Sequence, residues 1–376
     1  MRKHFVLTCI ALVSAACGLA ENYELQKYTY PTPYAVEKIQ SPTGKVVKNV
    51  ILMIGDGMSL AHIQSAWTCN RGKLWLENAP YVGLSKTPIV NRLIADSGSG
   101  GTALATGYKT IYHAIGVDGN GAAHPSLINL AHNKGLSTGV VVTCRLWDAT
   151  PCTFLAHNVD RDEEELLVGQ FPDSPVDYVF GGGARKMKPE GRFDKRDIFG
   201  ELKDKGYSIV PSYEDFLQYK GGKAWCVPFD VDTPLPAERK DMLAKASLKQ
   251  IDLLSKNKNG FFMMIEGSQL DDYGHFNQIG LLMEETLDFD QTIGEIYKWA
   301  AQDGETLVIV TADHETGGLS LLGGSLNTGS VEVKFSTDDH SGTMVPIYAF
   351  GPGSENFSGF MDQKEIFRKV KHLLGL

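Results

Sequence analysis

From Val46 onward, short apolar runs alternate with longer amphipathic stretches. Unbroken apolar runs predict strands at Val46–Ile54, Ser137–Thr143, Val176–Phe180, Tyr207–Val210, Phe261–Ile265, Thr306–Thr311 and Val345–Phe350. Apolar positions at helical spacing predict helices over Ser97–Thr106, Ser126–Lys134, Ala237–Ser255, Phe276–Ala301 and Asp362–Leu374. Runs that are apolar at every position suit strands buried on both faces of a parallel sheet. Alternating strand and helix predicts an α/β fold, with a doubly wound, mainly parallel central sheet and helices on both faces. Ligands of such sheets sit beyond the C-terminal ends of the strands. Residues 21–45 carry Tyr and Pro without a period and read as an extended arm. Residues 46–376 read as one domain. Residues 160–236 are the least regular, and charge runs such as Arg161–Glu165 read as a solvated face or loops. The glycine-rich stretch Gly317–Gly329 reads as a flexible connection.

The start of the chain has a different pattern. Arg2, Lys3 and His4 precede an apolar stretch from Phe5 to Ala16, and the small residues of Cys17-Gly18-Leu19-Ala20 follow. That is the layout of a signal peptide over residues 1–20, cleaved after Ala20. Lipid attachment at Cys17 is the alternative, with weak support from the preceding residues. The stretch is too short to span a membrane. Either route exports the protein to the periplasm or beyond. Among the later cysteines, Cys69, Cys144, Cys152 and Cys226 show no C-x-x-C metal signature. They read as buried thiols or as one or two bridges, and four cysteines allow three pairings. The 376 residues carry a net charge of −9, which argues against nucleic-acid binding. It does not exclude a small anionic substrate, because bound metals reverse the local sign.

The candidate chemistry gathers at predicted strand ends. Asp56, Glu266, Asp313 and His314 each follow an apolar run. Asp271 and His275 are four residues apart, on one face of a helical turn. Asp313 and His314 are adjacent, so the chain must turn there if they share an ion. Zinc accepts histidine nitrogen and carboxylate oxygen, whereas magnesium prefers oxygen donors such as Asp56, Glu266 and the Thr150 hydroxyl. Ser97 follows Asp96 and opens the small-residue run Gly98-Ser99-Gly100-Gly101-Thr102. A serine needs a base or a metal to become a nucleophile, and no histidine triad is legible beside Ser97. Each feature alone has an ordinary explanation. An Asp at a helix start is usually a cap, Thr150-Pro151 passes for a helix N-terminus, and His62, His113, His124, His132, His157 and His372 read as ordinary core or surface residues.

Taken together the blocks resemble the alkaline phosphatases. Gly55-Asp56-Gly57, the Asp96–Thr102 run, Asp148-Ala149-Thr150-Pro151 with Arg161, Glu266-Gly267 with Asp271 and His275, the run Thr311–Gly318 and His340-Ser341-Gly342 occur in that family's order. The resemblance implies Ser97 as a nucleophile that becomes phosphorylated. It implies Asp271, His275 and His340 as ligands of one zinc, and Asp56, Asp313 and His314 as ligands of a second. Asp56, Thr150 and Glu266 would form a magnesium site, with Asp148 holding its waters. Arg161 would clamp the phosphate, and its fork matches two phosphate oxygens as lysine cannot. Thr150 and Arg161 would stand about 16 Å apart on an unbroken helix, so the chain must turn between them. The implied activity is hydrolysis of small phosphate monoesters with two Zn2+ and one Mg2+ per chain.

Two positions depart from the family pattern. Asp272 follows the ligand Asp271, where relatives often place lysine or histidine, and a carboxylate there would oppose phosphate retention. The interval from Thr316 to His340 is short, so the capping insertion of longer relatives is reduced and a homodimer built through it is in doubt. A phosphodiesterase or phosphomutase of the same superfamily is the alternative enzyme, and a non-catalytic metal- or phosphate-binding relative the alternative class. Hydrolysis of a monoester against a bis-ester, with and without chelator, separates them.

Overall fold

A computed structural model describes residues 24–376, so the expected signal peptide, Cys17 included, lies outside the described residues. The central sheet has ten strands. In chain order they are β1 (Asn49–Gly55), β2 (Tyr81–Lys86), β3 (Ser137–Arg145), β4 (Tyr178–Gly182), β5 (Ser208–Val210), β6 (Ala224–Phe229), β7 (Phe261–Gly267), β8 (Thr306–Thr311), β9 (Val345–Phe350) and β10 (Gly359–Asp362). Their spatial order is β10-β2-β9-β8-β1-β7-β3-β4-β6-β5. Every pairing is parallel except those of β9, which runs antiparallel to β2 and β8.

The unbroken apolar runs are explained by burial on both sides. In β1, Val50, Leu52 and Ile54 face one core, while Ile51 and Met53 face the other. β7 divides in the same way, with Phe262 and Met264 against Phe261, Met263 and Ile265. The first core is covered by the helices Ser97–Thr106, Leu127–Asn133 and Gln363–Leu374, the second by Leu60–Cys69, Met242–Leu254 and Ile279–Asp303. The mainly parallel sheet with helices on both faces is thus the expected one.

Several local expectations are corrected. Gly317–Gly329 is not a flexible connection. It contains the strand Ser320–Ser325, which pairs with Ser330–Lys334, and the arm contributes a third strand, Gln26–Thr29, on the far side. The register slips between Leu321 and Gly323, and the glycines hide the apolar period. The arm is docked: Tyr34 donates its hydroxyl to Asp290 and its backbone N–H to Asn70. The predicted helix Ala237–Ser255 is two pieces, Pro236–Arg239 and Met242–Leu254, because Lys240 takes a positive φ of 52°. The long helix begins at Ile279 rather than Phe276, after Asn277, which also has a φ of 52°. Of the two readings of the cysteines, the buried thiols hold: Cys69, Cys144, Cys152 and Cys226 are free and buried.

Candidate active site and metal centre

Four adjacent parallel strands, β8, β1, β7 and β3, end side by side and deliver the chemistry. Asp56 follows β1, and Glu266 lies in the last pair of residues of β7. Asp313 and His314 follow β8, where the chain bends and leaves the sheet. The required turn is therefore present, and both side chains face one point. Asp148 lies beyond the end of β3 and caps the helix Ala149–Leu155. Asp148, rather than Thr150, is that cap, which leaves the Thr150 hydroxyl free to point at Asp56 (3.3 Å) and Asp313 (3.5 Å).

Ser97 is the first residue of the helix Ser97–Thr106. The Asp96 side chain caps this helix through the backbone N–H groups of Gly98 and Ser99. The helix must lie very close to the end of β8. A Cβ on Gly100 would stand 2.6 Å from the Asp313 carbonyl oxygen, so only glycine fits. This approach puts Ser97 Oγ 3.1 Å from His314 Nε2.

The expected ligands form two groups. Asp56, Asp313 and His314 converge, with His314 Nε2 3.4 Å from Asp56 Oδ1 and 3.2 Å from Asp313 Oδ2. Asp271, His275 and His340 form the second, with Asp271 3.3 Å from His275 Nε2 and 3.5 Å from His340 Nε2. The helix Gln269–His275 supplies Asp271 and His275 on one face, as their spacing predicts. The two groups adjoin, since the His314 and His340 rings stack at 3.6 Å.

The donor set fits metal ions on three counts. His275 Nδ1 meets the Asp338 carbonyl at 2.6 Å and His340 Nδ1 meets the Ala95 carbonyl at 2.7 Å. A carbonyl can only accept, so each Nδ1 carries a proton, and Nε2 is the atom through which each ring, once neutral, would bind a metal. The two Nε2 atoms lie 3.1 Å apart, close enough for one cation to bind both. Asp56 Oδ1 and Glu266 Oε1 are buried without a hydrogen-bond partner, a costly condition unless a cation satisfies them.

The electrostatics agree. Burial, then the charges of Asp313, Asp271 and Glu266, push the Asp56 carboxyl well up. Burial and Asp148 push Glu266 up in the same way. Burial opposes ionisation of Asp271 too, but the hydrogen bond to His275 and the neighbouring histidines hold it below the usual range. Burial lowers His314 to about 4, keeping it neutral and able to donate its electron pair. So many carboxylates beside so little positive charge call for bound cations.

Arg161 returns to the site because the helix Ala149–Leu155 ends and the chain turns back. Its guanidinium binds Asp148 at 2.9 Å and Asp96 at 3.3 Å. Asp272 sits on the helix beside Asp271, and burial followed by the charge of Asp148 raises its carboxyl to about 7. Two residues that sequence reasoning passed over complete the surroundings. Arg145 ion-pairs with Asp148 at 2.9 Å and with Asp232 at 3.2 Å. Asp232 comes from the region read as solvated loops, and no local motif marks it. Of the histidines set aside, His62 caps its own helix, its Nδ1 2.7 Å from Ser59 Oγ. His113 stands in a part-exposed group with Asp160 and Asp162.

The alkaline phosphatase family profile matches residues 47–334. Alkaline phosphatase 4 of Bacillus subtilis is 30% identical over an alignment covering 98% of this chain and 97% of its own. Alkaline phosphatase of Escherichia coli is 28% identical, covering 89% of this chain and 88% of its own. The solved alkaline phosphatase of the Antarctic bacterium TAB5 superposes with a TM-score of 0.84 at 36% identity, covering 88% of this chain and 99% of that one. The chain therefore belongs to the alkaline phosphatase family and is a phosphomonoester hydrolase.

Proposed function

We propose that Ser97 is the nucleophile of this hydrolase and that the reaction passes through a phosphoserine. The observation that carries the reading is the 3.1 Å approach of Ser97 Oγ to His314 Nε2, at the first turn of a helix and beside two groups of ligand-type side chains. Asp271, His275 and His340 would hold one Zn2+, and Asp56, Asp313 and His314 a second. Asp56, Thr150 and Glu266 would hold Mg2+, with Asp148 beside it. A variant of the TAB5 enzyme has been solved with Mg bound in its M3 site, which supports a magnesium-type position in this fold. When bound, the metals supply Lewis-acid charge that makes a serine hydroxyl reactive and stabilises departing oxygen.

The chain's own residues do the rest. The helix that begins at Ser97 turns its positive dipole end toward the incoming phosphoryl group, its first-turn N–H groups at Gly98 and Ser99 being held by Asp96. Arg161 binds two of its non-bridging oxygens with N–H groups not engaged by Asp148 and Asp96. Ser97 Oγ loses its proton and bonds to phosphorus as the ester P–O bond breaks, and the alcohol leaves after taking up a proton. Water then bonds to phosphorus as the Ser97–phosphorus bond breaks, and Ser97 regains a proton as phosphate departs. Asp96 caps the helix and holds Arg161, fixing nucleophile and clamp relative to each other.

The substrates are small phosphate monoesters: with two non-bridging oxygens on Arg161, the third, which a diester lacks, is left for the cations that the two ligand groups would hold. The leader pattern over residues 1–20 supports export, and no described helix is long and apolar enough to cross a membrane. The test is p-nitrophenyl phosphate against its bis-ester, with and without chelator. Chelator-sensitive hydrolysis of the monoester, with a far slower bis-ester, is expected. A faster bis-ester or undiminished turnover without metal would reject the proposal.

A further inference from the structure

Arg161 is braced from behind. Asp148 Oδ1 accepts from the Ala149 backbone N–H at 2.7 Å and from Arg161 Nη2 at 2.9 Å. Asp148 Oδ2 is gripped from the other side by Arg145 Nη2, also at 2.9 Å. Arg145 is fixed in turn by Asp232. Asp232 Oδ1 accepts from the Arg145 backbone N–H at 2.8 Å and from Nη1 at 3.2 Å, and its Oδ2 lies 3.3 Å from the same nitrogen. The Arg145 guanidinium also lies 4.9 Å from the centroid of the Trp147 ring. Asp232 is itself anchored: the next residue, Thr233, donates its hydroxyl to the Thr143 carbonyl at 2.9 Å, and Gln269 Nε2 donates to the Thr233 carbonyl at 2.9 Å.

Four side chains of alternating charge thus run from a pinned loop to the phosphate clamp. All four are largely withdrawn from solvent, where geometry of this kind is worth more than in an exposed pair. The charge balance gives Arg145 a second effect. Asp148, Asp232 and Asp272 are three carboxyl groups around one end of the site, and Asp272 feels the charges of the other two and of Arg145. Without Arg145, Arg161 would be the cation left facing Asp148, and that carboxylate would compete with phosphate for it.

We infer that Arg145, held by Asp232, is a positioning residue for substrate: it neutralises and locks Asp148, and so fixes Arg161 with its free N–H groups toward the phosphoryl oxygens. This rests on the reading of Arg161 as the phosphate clamp. The guanidinium grips two carboxylates at once, a geometry the single ammonium of lysine reproduces only in part.

The experiment uses zinc- and magnesium-loaded enzyme and measures inorganic phosphate affinity by calorimetry, with kcat and KM for p-nitrophenyl phosphate. Arg145→Ala should weaken phosphate binding about tenfold and raise KM more than it lowers kcat, with bound metal unchanged. Asp232→Asn, nearly isosteric, should shift both constants the same way by a smaller factor, and Arg145→Lys should recover part of the loss. In an Arg161→Ala background, Arg145→Ala should change phosphate affinity by less than about twofold, because the two residues act as one unit. An undiminished effect in that background overturns the relay while leaving the clamp intact. Unchanged phosphate affinity in both Arg145→Ala and Asp232→Asn also overturns it. An Arg161→Ala enzyme that binds phosphate as tightly as wild type overturns the clamp itself. If Arg145→Ala does not fold, Asp232→Asn carries the same cycle.

Discussion

At the scale of single residues, the site rests on how ordinary side chains are made reactive. Ser97→Ala removes the proposed nucleophile but none of the proposed metal ligands, so activity should fall by about 10³-fold or more while bound metal and fold persist. Elemental analysis beside p-nitrophenyl phosphate turnover checks this, and activity within a few-fold of wild type would remove Ser97 from the role. Asp272 offers a second test. Its carboxyl shares space with Asp148 and Arg145, and like charge near phosphate opposes binding. Asp272→Lys should therefore tighten inhibition by inorganic phosphate by up to about tenfold, the Arg145 charge already offsetting part of the repulsion. An unchanged or weaker inhibition constant rejects the electrostatic role. The contiguous blocks around Ser97 and Asp313 were legible in the sequence because each packs its chemistry into a few neighbouring positions. Arg145 and Asp232 were not, because their contact joins positions 87 residues apart and neither sits in a motif.

At the scale of elements, strands buried on both faces announced themselves and the others did not. β6 carries Pro228, which argues against a strand, yet its earlier residues pair on both sides. β2 alternates without a strong apolar run and contains Gly83, whose Cβ would collide with the Phe357 carbonyl. The helix predicted over Ala237–Ser255 broke at Lys240, and that break has a function in packing. It turns Arg239 inward, where its guanidinium meets Glu285 at 2.9 and 2.7 Å and Asp288 at 2.7 Å. All three side chains are withdrawn from solvent. Arg239→Met would strand two buried carboxyl groups without a partner and should cost about 3–5 kcal/mol. Urea unfolding of the metal-loaded enzyme measures it, and a loss below 1 kcal/mol would mean the pair behaves as a solvated one.

At the scale of the whole molecule, the site is the place where the sheet's central strands end. A surface cavity of about 900 Å3 lies elsewhere, lined by Tyr30, Tyr34, Trp75, Lys240 and Glu284 and sharing no residue with the proposed ligands. Dialysis against a strong chelator should abolish activity, and zinc with magnesium should restore it. His275→Ala and His340→Ala should each lower bound zinc by about one ion per chain, since a three-ligand site tolerates little loss. Full metal content in His340→Ala would show that the last ligand is misplaced. The strand Gln26–Thr29 pairs with Ser330–Lys334, and the proposed ligands run from Asp56 to His340. A chain made from its N-terminus must therefore keep the strand Gln26–Thr29 waiting for Ser330–Lys334, and Asp56 waiting for Asp313 and His314. Contacts of such long range make assembly slow and late. The proposed group of Asp56, Asp313 and His314 is complete only once His314 has been made, and that of Asp271, His275 and His340 only after residue 340, so metal loading would come after most of the sheet has been synthesised.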